Sequence, residues 1–349
     1  MSAVPDVPHV PEYAPVAPLT EIEAWKARKT YPSVLFAGGP VFGVARERAE
    51  GGWELQPHFA GLTPQDARDD LGCHFRTLAQ AAGRDGDASV QAEYLAAADR
   101  LDREPLDEMT VRGERYRVVR AERFIRMGPD GPEPPRATDP DPGGPGAPGS
   151  RTDPADGLVI APFQDSPSGG VLSAELLAAV GRHGTVRSAV ADDSRAAVHT
   201  HPGGVLLPAT FMTAERRGRS WRPDSAGIAT TPQAARDDLA THLRVIVPWR
   251  HELSAEESEV YKRAADRLDT ERCDELDVAG RHYRIVRVER LLRLGPGGPE
   301  GPRSSDTTPY DRPDHDDELC HDAEAPLKRI IELFEEERVR RASLGRGTG

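Results

Sequence analysis

The stretch TPQDARDDLGCHFR, Thr63 to Arg76, returns as TPQAARDDLATHLR, Thr231 to Arg244, with ten of fourteen positions identical. Its chemistry is that of a helix start. Thr63 offers a hydroxyl to the free amides, Pro64 is pre-set for the first helical position, and Asp66 suits the positive end of the helix. Leu71, Phe75 and Leu78 follow at helical spacing, answered by Leu239, Leu243 and Ile246.

A second block, YLAAADRLDREPLDEMTVRGERYRVVRAERFIRMGPDGPE from Tyr94 to Glu133, returns from Tyr261 to Glu300 with twenty-four of forty positions identical. Unrelated stretches agree at about one position in fifteen, so the chain reads as an internal duplication. Tyr94, Ala97, Ala98 and Leu101 predict a second helix, matched by Tyr261, Ala264, Ala265 and Leu268. Strands are expected at 108–111 and 116–127 about Gly113, because apolar residues alternate there with Arg and Glu at period two. One face of the longer strand carries Tyr116, Val118, Arg120, Glu122 and Phe124, and the second copy places Tyr283, Ile285, Arg287, Glu289 and Leu291 there.

Working outward, strands are expected at 34–36 and 41–46 around Gly38-Gly39-Pro40, and Thr20 with Glu23 fits a capping box opening a short helix that ends before Pro32. A helix is expected at 173–180. Another is expected at 327–342, with Leu327, Ile330, Ile331 and Phe334 on one face. The expected fold class is α+β: two tandem copies of a strand-strand-helix-helix-strand-strand unit of roughly 100 residues, with Pro/Gly-rich linkers and a C-terminal helix. The corresponding division is a disordered arm at 1–19, a first repeat at 20–133, a linker at 134–156, a second repeat at 157–303, an acidic linker at 304–326, and the C-terminal helix and tail at 327–349.

The 349 residues carry a formal net charge of −13. That charge repels a phosphate backbone and leaves no basic footprint, so neither nucleic acid nor an anionic membrane is expected as a partner. Cys73, Cys273 and Cys320 are widely spaced without a CxxC pair, which fits a reducing compartment. The N-terminus has no basic and apolar signal pattern and the chain has no long apolar run, so a soluble cytoplasmic protein is expected. No GxGxxG, P-loop, GxSxG, HExxH or EF-hand string occurs, and no cofactor is expected.

The run YPSVLFAGGPVFGVARE through TPQDARDDLGCHFR, together with HPGGVLLPATFMTAERRGRSW through YRIVRVERLLRLGPGGPEGPRSSD, resembles an actinobacterial protein family of unknown function. The resemblance covers most of residues 20–306. It implies a cytoplasmic protein and carries no activity or catalytic residue with it.

His199-Thr200-His201-Pro202 is the most enzyme-like string, because two histidines two residues apart can share a metal, as in the HxHP element of zinc-dependent isopeptidases. The Ser and Asp of that element are missing from GGVLLPATFM downstream, and Lys29 and Tyr31 stand at these positions in the first copy. We read it as a turn into a strand. His74 and His242 lie beside the apolar stripe, either as hydrogen-bonded packing residues or facing a ligand. Arg120 with Glu122, and Arg287 with Glu289, are same-face pairs, either structural or lining a binding groove. His315, Cys320 and His321 have irregular spacing in an acidic stretch, which favours adventitious metal binding over a built site.

The sequence therefore points to a non-catalytic binding or scaffold protein whose two similar domains hold an unknown protein or small ligand between them. A metal-dependent hydrolase using His199 and His201 is a second reading. An adaptor acting through its C-terminal helix is a third, with self-association through Leu327, Ile330, Ile331 and Phe334 as the expected behaviour of that stripe.

Overall fold

Two strands of 15 residues each carry the architecture, and their burial along the chain is nearly the same: only the ends of Glu114–Gly128 and Arg281–Gly295 reach solvent. The computed structural model describes residues 16–145, 153–161, 167–182, 188–223, 228–306 and 324–344; side chains at 16–21, 167–169, 181–182 and 324–330 lie outside that description. In chain order the elements of the first half are α1 (Val16–Thr30), β1 (Ser33–Phe36), β2 (Val41–Glu47), β3 (Trp53–Leu55), α2 (Pro64–Arg84), α3 (Ala88–Leu101), β4 (Glu108–Val111), β5 (Glu114–Gly128) and β6 (Gly131–Pro132). Next come β7 (Val159–Ile160), α4 (Pro167–Arg182), α5 (Ser188–Thr200), β8 (Gly203–Arg217), β9 (Ser220–Pro223) and α6 (Pro232–Thr241). A π-helical segment (His242–Ile246) runs into α7 (Val247–Arg250), followed by α8 (Ala255–Glu271), β10 (Glu275–Val278), β11 (Arg281–Gly295), β12 (Gly298–Pro299) and α9 (Glu324–Leu344). The class is α+β. Among the described residues no helix is long and apolar enough to cross a membrane.

The strands join in one sheet whose main path is β7-β3-β2-β5-β11-β8-β9. At its centre β5 and β11 pair antiparallel, with Arg123 opposite Arg290, Glu122 opposite Leu291 and Phe124 opposite Glu289. Each of these pairs is answered by the pair 167 residues on, so the seam has a local twofold relation through the two arginines.

Helices cover one face. Phe42, Val44, Tyr116 and Val118 pack under Leu71 and Phe75 of α2 and Ala97, Ala98 and Leu101 of α3. Phe211, Tyr283 and Ile285 pack under Leu239 of α6, Leu243 and Ala264, Ala265 and Leu268 of α8. Between the two helix pairs, Leu172 and Leu176 of α4 cover Phe124 and Leu291. The opposite face is buried without a helix: Val119, Ala121 and Leu292 pack with Trp53, Leu55, Ile160, Val205 and Leu207, so strands and loops of the sheet itself close over it.

Helix starts follow the local chemistry. The Thr63 hydroxyl accepts from the Asp66 amide while the Asp66 carboxylate accepts from the Thr63 amide, a reciprocal cap. Thr231 caps α6 in the same way but with Ala234 in place of the acid, so the return bond is lost.

Several local expectations need correction. Thr20 does not cap a helix but lies inside α1, because Pro18 falls in the first turn, where a missing N–H costs nothing. The helix expected at 173–180 extends over Pro167–Arg182. His199 and Thr200 end α5 rather than turning into a strand, since Pro202 biases His201 out of helical geometry and β8 begins only at Gly203. The terminal helix is longer than expected at both ends. Its side chains at Leu327 and Ile330 lie outside the described residues, and Ile331 is exposed. Residues 134–145, expected to be linker, hold Arg136, Asp139 and Asp141 in hydrogen bonds, because their charges answer buried arginines and carboxylates.

Candidate functional site

The seam contains the charged pairs that the sequence singled out. Arg120 donates through Nη1 to Glu122 (2.7 Å) and through Nε to Asp306 (2.8 Å). Arg287 donates through Nη1 to Glu289 (2.8 Å) and through Nε to Asp139 (3.1 Å). The chain following each long strand crosses to the other half, where Arg136 reaches Glu289 at 3.1 Å and Arg303 reaches Glu122 at 2.9 Å. The Arg120 and Arg287 amides donate to the Glu300 and Glu133 carbonyls at 2.9 Å. Both pairs are buried and saturated by the chain itself. Burial would raise the Glu122 carboxyl, but Arg120 and Arg303 overcome it and hold the group at about 2.

Arg123 and Arg290, at the centre of the seam, were missed by the sequence reading. They sit on an otherwise apolar strand face, and an arginine at such a position is the signal that could have found them. Arg290 is fully buried and forms a bidentate pair with Asp153 at 2.7 Å for both bonds. Arg123 donates through Nε to the Gly39 carbonyl at 3.0 Å, and its Nη1 makes no hydrogen bond. Burial, with Arg290 opposite, lowers its pKa to about 10.

His199 is exposed at the end of α5, whereas the His201 ring lies against Gly295 and hydrogen-bonds Thr200 at 2.9 Å. Tyr31 lies against Gly128 in the same way, which gives the position a packing role in both halves. Among the described residues no group of three His, Cys, Asp or Glu side chains is placed to hold a metal; His315, Cys320 and His321 lie outside them.

His74 and His242 part company. His74 lies between Phe75 and Tyr116, 6.0 Å from each ring centre, and burial lowers its pKa. Phe75 meets Tyr116 edge-on at 5.1 Å, and the Tyr116 hydroxyl donates to Glu114 at 2.8 Å. At the matching place in the second half the helix bulges. Pro248 stands where α2 has Gln80, and its ring and missing N–H disfavour an α turn. The preceding residues His242–Ile246 take a π turn instead, with the Val247 amide donating to the His242 carbonyl.

Between this bulge and the sheet lies a cleft of about 700 Å³. Met212, Glu215 and Arg217 of β8 and Arg222 of β9 form one side, and Asp238, Leu239, His242, Ile246 and Arg250 the other. Arg281 and Tyr283 of β11 form the floor, and Phe334 of α9 closes one edge. Tyr283 is buried, and the Arg281 guanidinium lies beside its hydroxyl. Burial raises the phenol above its ordinary range, with Arg281 opposing.

The charges around the two equivalent tyrosines are inverted. Arg46 stands opposite Tyr116 in the sheet and pairs with Glu54 (2.7 Å) and Glu114 (3.0 Å). At the same register beside Tyr283 stands Glu215, with Arg222 in the place of Glu54 and Arg281 in that of Glu114. Glu215 pairs with Arg217 at 3.0 Å, leaving Arg281 at 3.9 Å. Among the described residues Arg222 and Arg250 have no ion pair. Among the described residues four arginines thus line the cleft against two carboxylates, Glu215 and Asp238. The size, the mixed walls and the surplus of guanidinium suit a small ligand with a negative group.

No curated protein and no solved structure matches the chain. A family model does match, over residues 14–309, and on that extent the chain belongs to DUF5954, a family of unknown function.

Proposed function

We propose that this is a non-catalytic binding protein whose second half holds a small anionic ligand in the cleft beneath the π bulge. One observation carries the reading: arginine outnumbers carboxylate there in a chain of net charge −13, where a cationic hollow is against the overall balance. We further infer that the halves are copies of one α+β unit. The matched strand lengths and the reciprocal Arg-Glu-Asp contacts support this. In this view the first copy keeps a closed structural form and the second has opened for binding.

The test is thermal denaturation of the full chain in sulfate or phosphate against chloride at equal ionic strength. A ligand at about 100 times its Kd adds about 2.7 kcal/mol, enough to read as a shift in Tm. The shift should vanish in the double variant Arg222→Ser/Arg281→Ser. An equal shift in the variant and the parent assigns the effect to general salt action and refutes the proposal.

A further inference from the structure

Among the described side chains of the C-terminal helix, charged contacts carry the docking. Glu337, 6% exposed, accepts from Arg244 (3.0 Å), Arg340 (2.8 Å) and Arg341 (3.1 Å). Asp269 of α8 accepts from Arg244 and from Arg340, the latter at 3.0 Å. Arg341 also donates to Thr241 at 3.1 Å, so the helix is pinned beside the π segment. Ile331 and Val339 meanwhile stay 54% and 61% exposed.

What this docking delivers is Phe334, one turn before Glu337. Its ring is at the cleft's edge and remains 41% exposed. Apolar surface continues inward from it through Leu239 and Ile246, while Arg217, Arg222 and Arg281 lie on the strands β8, β9 and β11 and Arg250 on α7. The cleft thus sets Arg222 and Arg281 on its sheet side, across from an apolar strip that ends in an aromatic ring and shares its wall with Asp238 and Arg250.

We propose that α9 is a wall of the binding site and that the ligand is an amphiphilic anion, its charged group on Arg222 and Arg281 and its apolar body against Phe334. This rests on the anion-binding reading and adds to it the ligand's class and the residue that selects the body. A phenyl ring left half in water at a mouth gains most when a bound apolar group covers it. The buried Glu337 fixes the helix in place, since breaking one member of such a cluster leaves the other charges unpaired.

The experiment measures affinity by calorimetry for two probes on the full chain: inorganic sulfate, the head group alone, and anilinonaphthalene sulfonate, which adds an aromatic body. Sulfate must displace the dye, which places both in one site. The dye should bind about tenfold tighter than sulfate, and Phe334→Ala should cost the dye about tenfold, at least fivefold more than it costs sulfate. Glu337→Gln should reproduce that selective loss, because it releases the helix and keeps the ring. If both variants weaken dye and sulfate equally, or neither, while Arg222→Ser/Arg281→Ser abolishes sulfate binding, the role of α9 falls and the anion site stands. If neither probe binds, or both survive the double arginine variant, the anion reading itself falls.

Discussion

Replacing Glu122 by Gln keeps the side chain's shape and its acceptor oxygen but removes the negative charge that Arg120 and Arg303 share. The carboxyl is displaced from 4.5 to about 2 in the folded chain. At 1.36 kcal/mol for each pH unit, that displacement corresponds to about 3 kcal/mol of stability. Its sign follows from the direction: a depressed folded pKa contributes in full above the unfolded value and is lost as pH falls toward the folded one. The variant should therefore be about 3 kcal/mol less stable than the parent near neutral pH. The gap should narrow by about 1.4 kcal/mol per pH unit below 4.5 and close near 2. Urea denaturation of both proteins at a series of pH values reads the difference directly, and other carboxylates cancel in the comparison. A gap that stays constant from neutral pH to about 3 would refute the argument, because the loss would then come from packing and not from charge.

Two further outcomes follow from the seam. Asp153→Ala strands the fully buried Arg290 and should cost about 3–5 kcal/mol in denaturant melts, with Asp153→Ala/Arg290→Met recovering much of it. Gly298→Ala would set a Cβ 2.5 Å from the Trp53 indole nitrogen at a φ of +109°. It should lower Tm well beyond Gly86→Ala, where φ is +80°, nothing lies within 4 Å and only about 1 kcal/mol of backbone strain is added.

Local chemistry alone determined much of the fold. The Thr63 and Thr231 caps, the Leu71-Phe75 and Leu239-Leu243 stripes and the alternation along 116–127 need only neighbours within a few residues, and helix and strand periods expose them in the sequence. Alternation also put Arg120, Glu122, Arg287 and Glu289 on one face, but a period of two names a face and not a partner. The partners lie far along the chain: Asp306 is 186 residues from Arg120, and Glu122 is 181 from Arg303. Only the pairing of β5 with β11 brings those crossing segments onto the buried charges, which is why residues 134–145 looked like linker.

The cleft was legible only in fragments. His242 and Phe334 were singled out for other reasons, and Pro248 and the inverted charges at Glu215, Arg222 and Arg281 carried no meaning until the sheet register set them around Tyr283. The sequence by itself determined the matched helices and long strands of the two halves, because hydrogen bonding and side-chain period act locally. The tertiary structure decided which charges are neutralised inside and which are left facing a hollow, because electrostatic pairing depends on distance in space and on burial, and neither is encoded at any single position.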